Sequence, residues 1–189
     1  AEIASVLGFS AIKNNDKVGL ILFSDVVEKY IVPKKGKTHV LRVIRELLFK
    51  DPIGSKTSIS QALDYLLKVA KRKCVVFLIS DFLDDNFLTS LKIVNKKHDL
   101  VAIQVLDPAE LKFPDLGLVK VEDPETGEMF WVDTTSKKMM KQLKEEISVK
   151  QINFKKKIKK FGIDLVSIST DKDFVDPLLA FFKSRDKRN

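Results

Sequence analysis

Two short stretches of the sequence carry side chains that can do chemistry, and each adjoins a regular element. Residues 54–63 read GSKTSISQAL, a loop in which the hydroxyls of Thr57 and Ser58 stand directly before an amphipathic run. Residues 75–81 read VVFLISD, an apolar run that ends in Ser80 and Asp81. Hydroxyl and carboxylate oxygens are ligands that Mg²⁺ accepts, so both stretches are candidates for a metal site.

Helix capping is the alternative explanation for the first stretch. Residues 58–61 fit the S-x-x-Q capping box, with Ser58 as the cap and Gln61 reaching back to the backbone. Thr57 lies one residue earlier and has no role in that cap. Its hydroxyl is therefore available for a ligand in the crevice above a sheet.

Turn formation is the alternative explanation for Asp81. Asp84 and Asp85 are better placed to cap the helix that follows, which leaves Asp81 without an obvious local role. A carboxylate directly after a buried strand lies where open parallel sheets bind their ligands. Since two ligands alone hold Mg²⁺ weakly, spacing by itself leaves the metal site and the turn both open.

The inventory of catalytic residues is short. The two histidines, His39 and His98, lie in polar surroundings and are predicted to be solvated, which leaves no base for a catalytic triad. The only cysteine, Cys74, adjoins an apolar run and is predicted to be a core thiol in a reducing compartment. The sequence also holds no phosphate-binding glycine loop and no Cys/His metal spacing. We therefore expect a protein that is not an enzyme.

The composition is that of a globular protein. The 189 residues, 44% of them hydrophobic and 32% charged, suit a single domain over 1–189 with one sizeable core. No apolar run approaches the roughly 20 residues of a membrane-spanning helix, and we expect a cytoplasmic location or the cytoplasmic face of the membrane.

Strands alternate with helices along the chain, which predicts an α/β fold with a mostly parallel, doubly wound sheet flanked by helices. Three apolar runs, at 18–23, 75–80 and 99–106, are typical of strands buried on both faces. Further strands are predicted at 26–32 and 163–169, with a β-hairpin insertion at about 117–133. Helices are predicted at 2–14, 39–49, 58–71, 84–97, 136–161 and 173–185.

The net charge of +8 is concentrated in one predicted helix. Residues 137–160 contain ten lysines and two glutamates, and the rest of the chain is balanced. The apolar residues of this helix form one stripe: Met140, Leu143, Ile147, Phe154, Ile158 and Phe161. The lysines that could bind an anion are Lys141, Lys144, Lys155, Lys156 and Lys159.

A solvated outer face is the simplest explanation of these lysines, and binding to nucleic acid or to an anionic membrane surface is the alternative. Lysine dominates over arginine, and no aromatic residue lies among the exposed lysines. Both features argue against specific nucleic-acid recognition, and the membrane remains a weak alternative.

Several motifs occur in an order that resembles the bacterial family called domain of unknown function fifty-eight, whose core is similar to a von Willebrand factor A domain. They are DKVGL (16–20), FSD (23–25), the Thr57 loop with AL (62–63), ISDF (79–82), HDLV (98–101), DPAE (107–110) and DPETG (123–127). The resemblance extends to GID (162–164) and FFKSR (181–185).

The resemblance implies a metal-ion-dependent adhesion site that holds Mg²⁺. Thr57 matches its threonine and Asp81 its last aspartate, and Ser80 would support the ligands without touching the ion. The Asp-x-Ser-x-Ser motif that supplies most ligands, and the central strand before it, are expected upstream of Ala1. We therefore expect Mg²⁺ in the intact protein and no tightly bound ion in this chain.

The resemblance also implies a partner. Members of the family resemble adhesion-type interaction modules and are often encoded beside MoxR-type AAA+ ATPases, which implies a chaperone-like or assembly role with that ATPase. Without the central strand, the strands at 18–23 and 75–80 would either pair with each other or recruit a second chain.

Overall fold

The computed structural model describes residues 1–51, 53–54, 56–84, 86–108, 116–122 and 129–187, apart from the side chains of residues 122, 143 and 186. The chain divides into two compact units. The first comprises Ala1–Lys71 and Asp84–Leu91, and the second comprises Arg72–Leu83 and Lys92–Asn189. Each unit has its own sheet and its own buried side chains, so each is described by itself.

The first unit combines helices with an antiparallel pair of strands. Its elements are α1 (Glu2–Lys13), β1 (Val18–Phe23), β2 (Val27–Lys34), α2 (Lys37–Phe49), α3 (Ile59–Val69) and the first residues of α4 (Leu88–Lys97). β1 and β2 pair as an antiparallel ladder with two register shifts. The predicted hairpin partner at 26–32 is thereby confirmed.

Side chains from several elements close the core of the first unit. Val40 and Ile59 are almost completely buried, and a β-carbon on Gly8 of α1 would lie 2.9 Å from Val40 Cγ1 of α2. The two helices can approach this closely because residue 8 has no side chain. The rings of Tyr30 and Tyr65 meet edge to face at 5.7 Å and connect β2 with α3.

The second unit is built on a parallel sheet. Its strands β3 (Val75–Ser80), β4 (Asp99–Leu106) and β7 (Asp164–Ser169) lie in the order β3-β4-β7. A separate antiparallel pair consists of β5 (Leu118–Glu122) and β6 (Met129–Asp133), which confirms the predicted hairpin strands. The turn predicted at 124–127 lies outside the described residues. Two helices, α5 (Lys137–Lys160) and α6 (Val175–Asp186), complete the unit.

The long helix α5 begins and ends with recognisable caps. Ser136 Oγ accepts a hydrogen bond from the Met139 N–H at its start. At its end Gly162 has a φ of +66°, and the Ile163 N–H reaches back to the Ile158 carbonyl at 3.2 Å. This is a Schellman ending, which a glycine adopts without steric cost. The predicted limits of the helix at 136–161 are therefore confirmed.

The predicted apolar stripe of α5 is only partly buried. Ile158 is fully buried, and Phe154 and Phe161 are half-buried near the same end. Met140 and Ile147 are half-buried, and the side chain of Leu143 lies outside the description. The helix is therefore packed most closely through its carboxyl-terminal half.

Two of the three strands predicted to be buried on both faces are not. β1 is half-buried and hydrogen-bonded to β2, and β3 lies at one end of the β3-β4-β7 order with Val75 54% exposed. Only β4, with five consecutive buried residues, fits the prediction. In the described part of the chain β1 and β3 belong to different sheets, so the expected direct pairing between them is wrong. Association of a second chain through these strands stays a prediction.

The parallel sheet confirms the coarse α/β prediction. The finer arrangement, a doubly wound sheet in a single domain over 1–189, stays a prediction.

Arg185 of α6 holds the beginnings of two strands of the parallel sheet. Its guanidinium donates a hydrogen bond to Asp99, the first residue of β4, and lies 3.7 Å from Asp164, the first residue of β7. The side chains of all three are at least half-buried. A guanidinium that contacts two carboxylates in partial burial stabilises more than an exposed ion pair does.

We expect Arg185→Ala to lower the free energy of unfolding by about 1–3 kcal/mol, because it leaves two partly buried carboxylates without this donor. Arg185→Lys should recover only part of the loss, since lysine lacks the planar fork. Urea denaturation measures both. The exposed Lys183 of the same helix gives the matched control, Lys183→Ala, and an equal loss in this control would contradict the assigned role.

Candidate metal-binding loops

The loop that carries Thr57 is fastened to the end of β1 in the first unit. The Ser58 N–H donates to the Ser24 carbonyl at 2.8 Å. The buried Ser24 donates its own hydroxyl to Asp25 at 3.3 Å. Ser24 of the FSD motif and Ser58 of the loop, 34 residues apart in the sequence, are thus neighbours in the fold.

Gly54 lies where these loops approach closely. A β-carbon at this position would lie 1.8 Å from Asp25 Oδ1 and 2.4 Å from Ser24 Oγ, so a larger residue would displace the side chains of Asp25 and Ser24. Glu28 fixes the same segment, because its Oε1 accepts from the Ile53 N–H at 2.9 Å and from the Gly54 N–H at 3.4 Å. The Ile53 N–H and then the Ser24 hydroxyl hold the pKa of Glu28 below its usual value.

The amino-terminal cap of α3 differs from the predicted capping box. Ser58 occupies the cap position, but its hydroxyl lies 3.2 Å from Ser60 Oγ and makes no capping hydrogen bond. Gln61 is exposed and makes no described contact. The cap comes instead from Asp84, whose Oδ2 accepts from the Ile59 N–H at 2.7 Å. A carboxylate at a helix start is stabilised by the N–H groups and by the helix dipole, so it replaces the hydroxyl.

Asp84 therefore does not cap the following helix as predicted. That helix, α4, begins at Leu88, and Asp85, the other predicted cap, lies outside the described residues. No local pattern indicates the contact of Asp84 with α3, because 25 residues separate Asp84 from Ile59. Neither of the neighbouring hydroxyls, those of Thr57 and Ser58, takes part in a described capping hydrogen bond.

Thr57 itself is half-buried at the end of the loop. Its hydroxyl makes no hydrogen bond with any residue that the structure describes. This agrees with the prediction that Thr57 has no part in the cap.

Asp81 is the exposed residue that directly follows β3 in the second unit. Its Oδ1 accepts from the Leu83 N–H at 3.1 Å and from the Ser80 hydroxyl at 3.3 Å. Ser80 Oγ also accepts from the Phe82 N–H at 3.1 Å. Within the described residues no hydrogen bond reaches Oδ2. One oxygen of this exposed carboxylate is thus fixed, and the other has no described hydrogen-bond partner.

The residue after Asp81 has an unusual backbone. Phe82 has a φ of +61°, a conformation that a bulky side chain rarely adopts and that costs on the order of 1 kcal/mol or more. The side chain is only 8% exposed, and its ring lies 4.8 Å from the ring of Phe154 in α5. Burial of the ring offsets the strain and keeps the turn that orients Asp81.

The Thr57 hydroxyl and the Asp81 carboxylate are oxygen ligands of the type that Mg²⁺ binds, but they are too few to complete its coordination shell. Thr57 belongs to the first unit and Asp81 to the second. Across the described ranges no group of three or more His, Cys, Asp or Glu side chains could hold a metal ion. An exposed carboxylate such as that of Asp81, whose other oxygen accepts from a serine hydroxyl, is a suitable single ligand for a hard cation.

Cys74 and His98 form a contact that sequence reasoning missed. Cys74 is exposed rather than buried, and its Sγ lies 3.4 Å from His98 Nδ1. His98 is 2% exposed rather than solvated, and its Nε2 has no partner among the described residues. The prediction of solvated histidines also fails for His39, which is half-buried with Nε2 2.8 Å from the Val18 carbonyl. Since β3 and β4 run parallel, residues just before them meet, and this rule could have found the pair.

The titration of this pair opposes an activated thiol. Loss of hydration raises the pKa of the Cys74 thiol, although the charge of Lys97 opposes the rise. Burial lowers the pKa of His98, and Lys97 adds to that effect. Both groups are therefore neutral near pH 7, whereas a catalytic thiolate–imidazolium pair needs both to be charged.

The lysines proposed for anion binding are all exposed on α5: Lys141, Lys144, Lys155, Lys156 and Lys159. Lys141 lies 3.8 Å from Glu145, one turn away, in an exposed ion pair that contributes little to stability. The described helices contain none that is long and apolar enough to cross a membrane.

These features define a mixed α/β protein with a three-stranded parallel sheet and polar loops after its strands. Residues 1–152 match the family described as "Protein of unknown function DUF58". The chain belongs to the DUF58 family, and the family indicated by the ordered motifs is confirmed.

Proteins of similar sequence include uncharacterised mycobacterial proteins. One from Mycobacterium tuberculosis is 24% identical over 187 residues, which are 96% of this chain and 58% of that protein. One from Mycobacterium avium is 28% identical over 137 residues, or 71% of this chain and 79% of that protein. The chain thus spans little more than half the length of the Mycobacterium tuberculosis relative.

A solved structure has a similar fold. The conserved hypothetical protein BatB from Bacteroides thetaiotaomicron superimposes with a TM-score of 0.52 over 98% of this chain and 86% of that chain. The sequences are 14% identical, so the similarity concerns the fold alone.

We expect Asp84→Ala to lower the free energy of unfolding by about 1 kcal/mol, because the Ile59 N–H loses its acceptor at the start of α3. Urea denaturation followed by circular dichroism measures the change. Asp64→Ala is the matched control, since Asp64 is an exposed carboxylate within α3 itself. If the two variants were equally stable, the long-range cap would be refuted.

Stability should also depend on pH through His98. Its folded pKa is lowered, so the unfolded chain takes up the proton first as the pH falls. The stabilising contribution is complete above the unfolded pKa of about 6.5 and is lost as the pH drops towards the folded value.

We therefore expect the melting temperature to fall between about pH 7.5 and pH 5.5, and to fall less in His98→Gln. His39→Gln removes the other histidine of the chain and should retain the dependence. A wild-type slope in His98→Gln would show that His98 is not its cause.

Proposed function

We propose that the protein is a non-enzymatic interaction module in which a divalent cation, Mg²⁺, links the loop after β3 to a protein partner. The observation that carries the proposal is the exposed Asp81 carboxylate, whose Oδ1 accepts from Leu83 and Ser80 while no hydrogen bond from a described residue reaches Oδ2. Thr57 is the second proposed ligand, because its hydroxyl is not used in capping. The family resemblance supports both residues as ligands.

The bound cation would offer a coordination position to a carboxylate of the partner. The described residues around Asp81 would orient its carboxylate towards the cation. Ser80 and Leu83 hold Asp81, and the buried ring of Phe82 keeps the turn in place. Further ligands would come from water, from the partner and from other parts of the whole protein, since the described carboxylates do not cluster.

The resemblance to adhesion-type domains supports a partner of the MoxR-type AAA+ ATPase class and a chaperone-like or assembly role in the cytoplasm. The neutral state of the Cys74–His98 pair supports a non-enzymatic role. An enzyme of the cysteine–histidine type would need the opposite pKa shifts.

We expect the whole protein to bind the ATPase in Mg²⁺ and to lose roughly tenfold or more in affinity in chelator, as calorimetry would measure. Asp81→Ala should reproduce the loss in the presence of Mg²⁺. Asp64→Ala, an exposed carboxylate in a helix, should retain the wild-type dependence. Equal binding in Mg²⁺ and in chelator would refute the role of the ion.

A further inference from the structure

Helix α2 carries exposed apolar side chains in addition to the ones that it buries. Val40 and Val43 are 1% and 5% exposed and belong to the core of the first unit. Leu41, Leu48 and Phe49 are 45%, 57% and 78% exposed. With about 3.6 residues per turn, these three residues lie on one arc of the helix, outside the buried stripe. A helix that only covers a core has a single apolar stripe, so the second stripe points to a further contact.

The helix that carries this exposed arc is held firmly in the first unit. At its start, His39 Nε2 lies 2.8 Å from the Val18 carbonyl at the beginning of β1. Near its end, Glu46 forms an ion pair with Lys29 of β2 at 3.6 Å. The exposed side chains therefore stand on a rigid element, and little backbone ordering would be needed when they are covered.

The exposed arc carries an excess of positive charge. The exposed Arg42 and Arg45 lie on this arc, and the exposed Lys37 lies at the start of the helix. Neither arginine forms an ion pair with any residue that the structure describes. Glu46, the one acidic residue of α2, lies beside the arc and is already paired with β2. The exposed Asp51, beyond the end of the helix, offsets only one of the three cations.

The spacing of these side chains is that of a helix–helix seam. Leu41 and Leu48 are one heptad apart, and Arg45 stands between them at the alternation of four and three residues that coiled coils use. Arg42 and Phe49 each follow a leucine directly, so they line the same edge of the seam. A ridge of this kind packs against a second helix, whose side chains fit between those of the ridge.

We propose that the exposed arc of α2 binds an acidic amphipathic helix of a partner protein. Apolar side chains of that helix would cover Leu41, Leu48 and Phe49, and its carboxylates would accept paired hydrogen bonds from the guanidinium groups. The heptad spacing favours a helix over a lipid or nucleic-acid surface, because neither presents side chains at a matching period. A second copy of this chain is disfavoured as the occupant, because α2 paired with α2 would bring arginines of both copies to one seam. The interaction goes beyond the proposed role of Mg²⁺ and does not use Asp81.

A synthetic acidic helix provides the direct test. The probe is a fluorescein-labelled peptide of about three heptads, with leucine at each d position, glutamate at each a, e and g position and alanine elsewhere. Its repeated negative charges disfavour pairing with itself. We expect fluorescence anisotropy to show micromolar binding to the protein, weakened by about fivefold when the salt rises from about 0.1 M to about 0.5 M. Binding should be equal in Mg²⁺ and in chelator, which distinguishes this surface from the proposed cation site.

Two pairs of substitutions separate the apolar from the charged contribution. Leu41→Ser with Leu48→Ser should weaken binding of the acidic peptide by roughly tenfold or more, because the apolar seam is removed. Arg42→Glu with Arg45→Glu should abolish this binding through repulsion, and should create binding to a peptide in which lysine replaces every glutamate. A variant that had merely lost its fold would not show this reversal.

Matched substitutions elsewhere control for changes in overall polarity and charge. Val149 and Ile152 of α5 are 55% and 51% exposed, and Val149→Ser with Ile152→Ser should retain binding. Lys71 and Arg72 are exposed outside α2, and Lys71→Glu with Arg72→Glu makes the same change of charge and should also retain binding. Melting temperatures close to that of the wild type establish that the variants are folded.

Several results would overturn the proposal. These are equal binding of the acidic and the lysine peptide by the wild-type protein, no binding of either peptide, and equal losses in the control variants. A wild-type dimer that Leu41→Ser with Leu48→Ser dissociates in analytical ultracentrifugation would assign the surface to a second copy. Retention on anionic vesicles or RNA that needs Arg42 and Arg45, without competition by the acidic peptide, would assign the surface to phosphate groups.

Discussion

The parallel pairing of β4 with a strand on each side determines the arrangement of the second unit. Its residues from Leu100 to Gln104 are buried in succession, and the one polar member, Gln104, accepts a hydrogen bond from Ser167 of β7 at 3.2 Å. An unpaired amide in this position would be costly, so the register of β7 is fixed by chemistry as well as by backbone pairing. On the other side Ser80 pairs with Gln104, and this register determines where Asp81 leaves the sheet.

Because a distant carboxylate caps α3, the loop before this helix does not have to supply the cap. Asp84 satisfies the Ile59 N–H, so the local hydroxyls are not needed for the helix to start. Gly54 and Glu28 then determine the path of the loop, one by the absence of a side chain and the other by accepting two backbone N–H groups. The helix start and the position of the half-buried Thr57 are thus maintained by different groups.

The elements could be predicted from the sequence because their signals are local. Apolar spacing located α5, and the apolar run located β4 between Asp99 and Leu106. Burial of the similar runs of β1 and β3 was not predictable, because it depends on how many neighbours a strand acquires. A continuous apolar run indicates a strand but not the number of strands that pair with it.

The contacts of the candidate site were equally hard to predict from the sequence. The positions of Thr57 and Asp81 at the ends of loops follow from the sequence pattern. The contacts of Asp84 with Ile59 and of Cys74 with His98 join residues about 25 positions apart, and only tertiary structure creates them. His98 is an example. The lysines beside it in the sequence predicted a solvated imidazole, whereas the fold buries it.

The left-handed backbone of Phe82 makes the ligand loop dependent on a distant part of the chain. The contact of the ring with Phe154 stabilises this conformation, and α5 is packed near that residue and much less along its first half. Fraying of the amino-terminal turns of α5 therefore leaves the loop unaffected, whereas opening of its last turns removes the constraint on the backbone. The amides of Phe82 and Leu83 should then exchange with solvent in the same opening event as those around Ile158, as members of one cooperative unit.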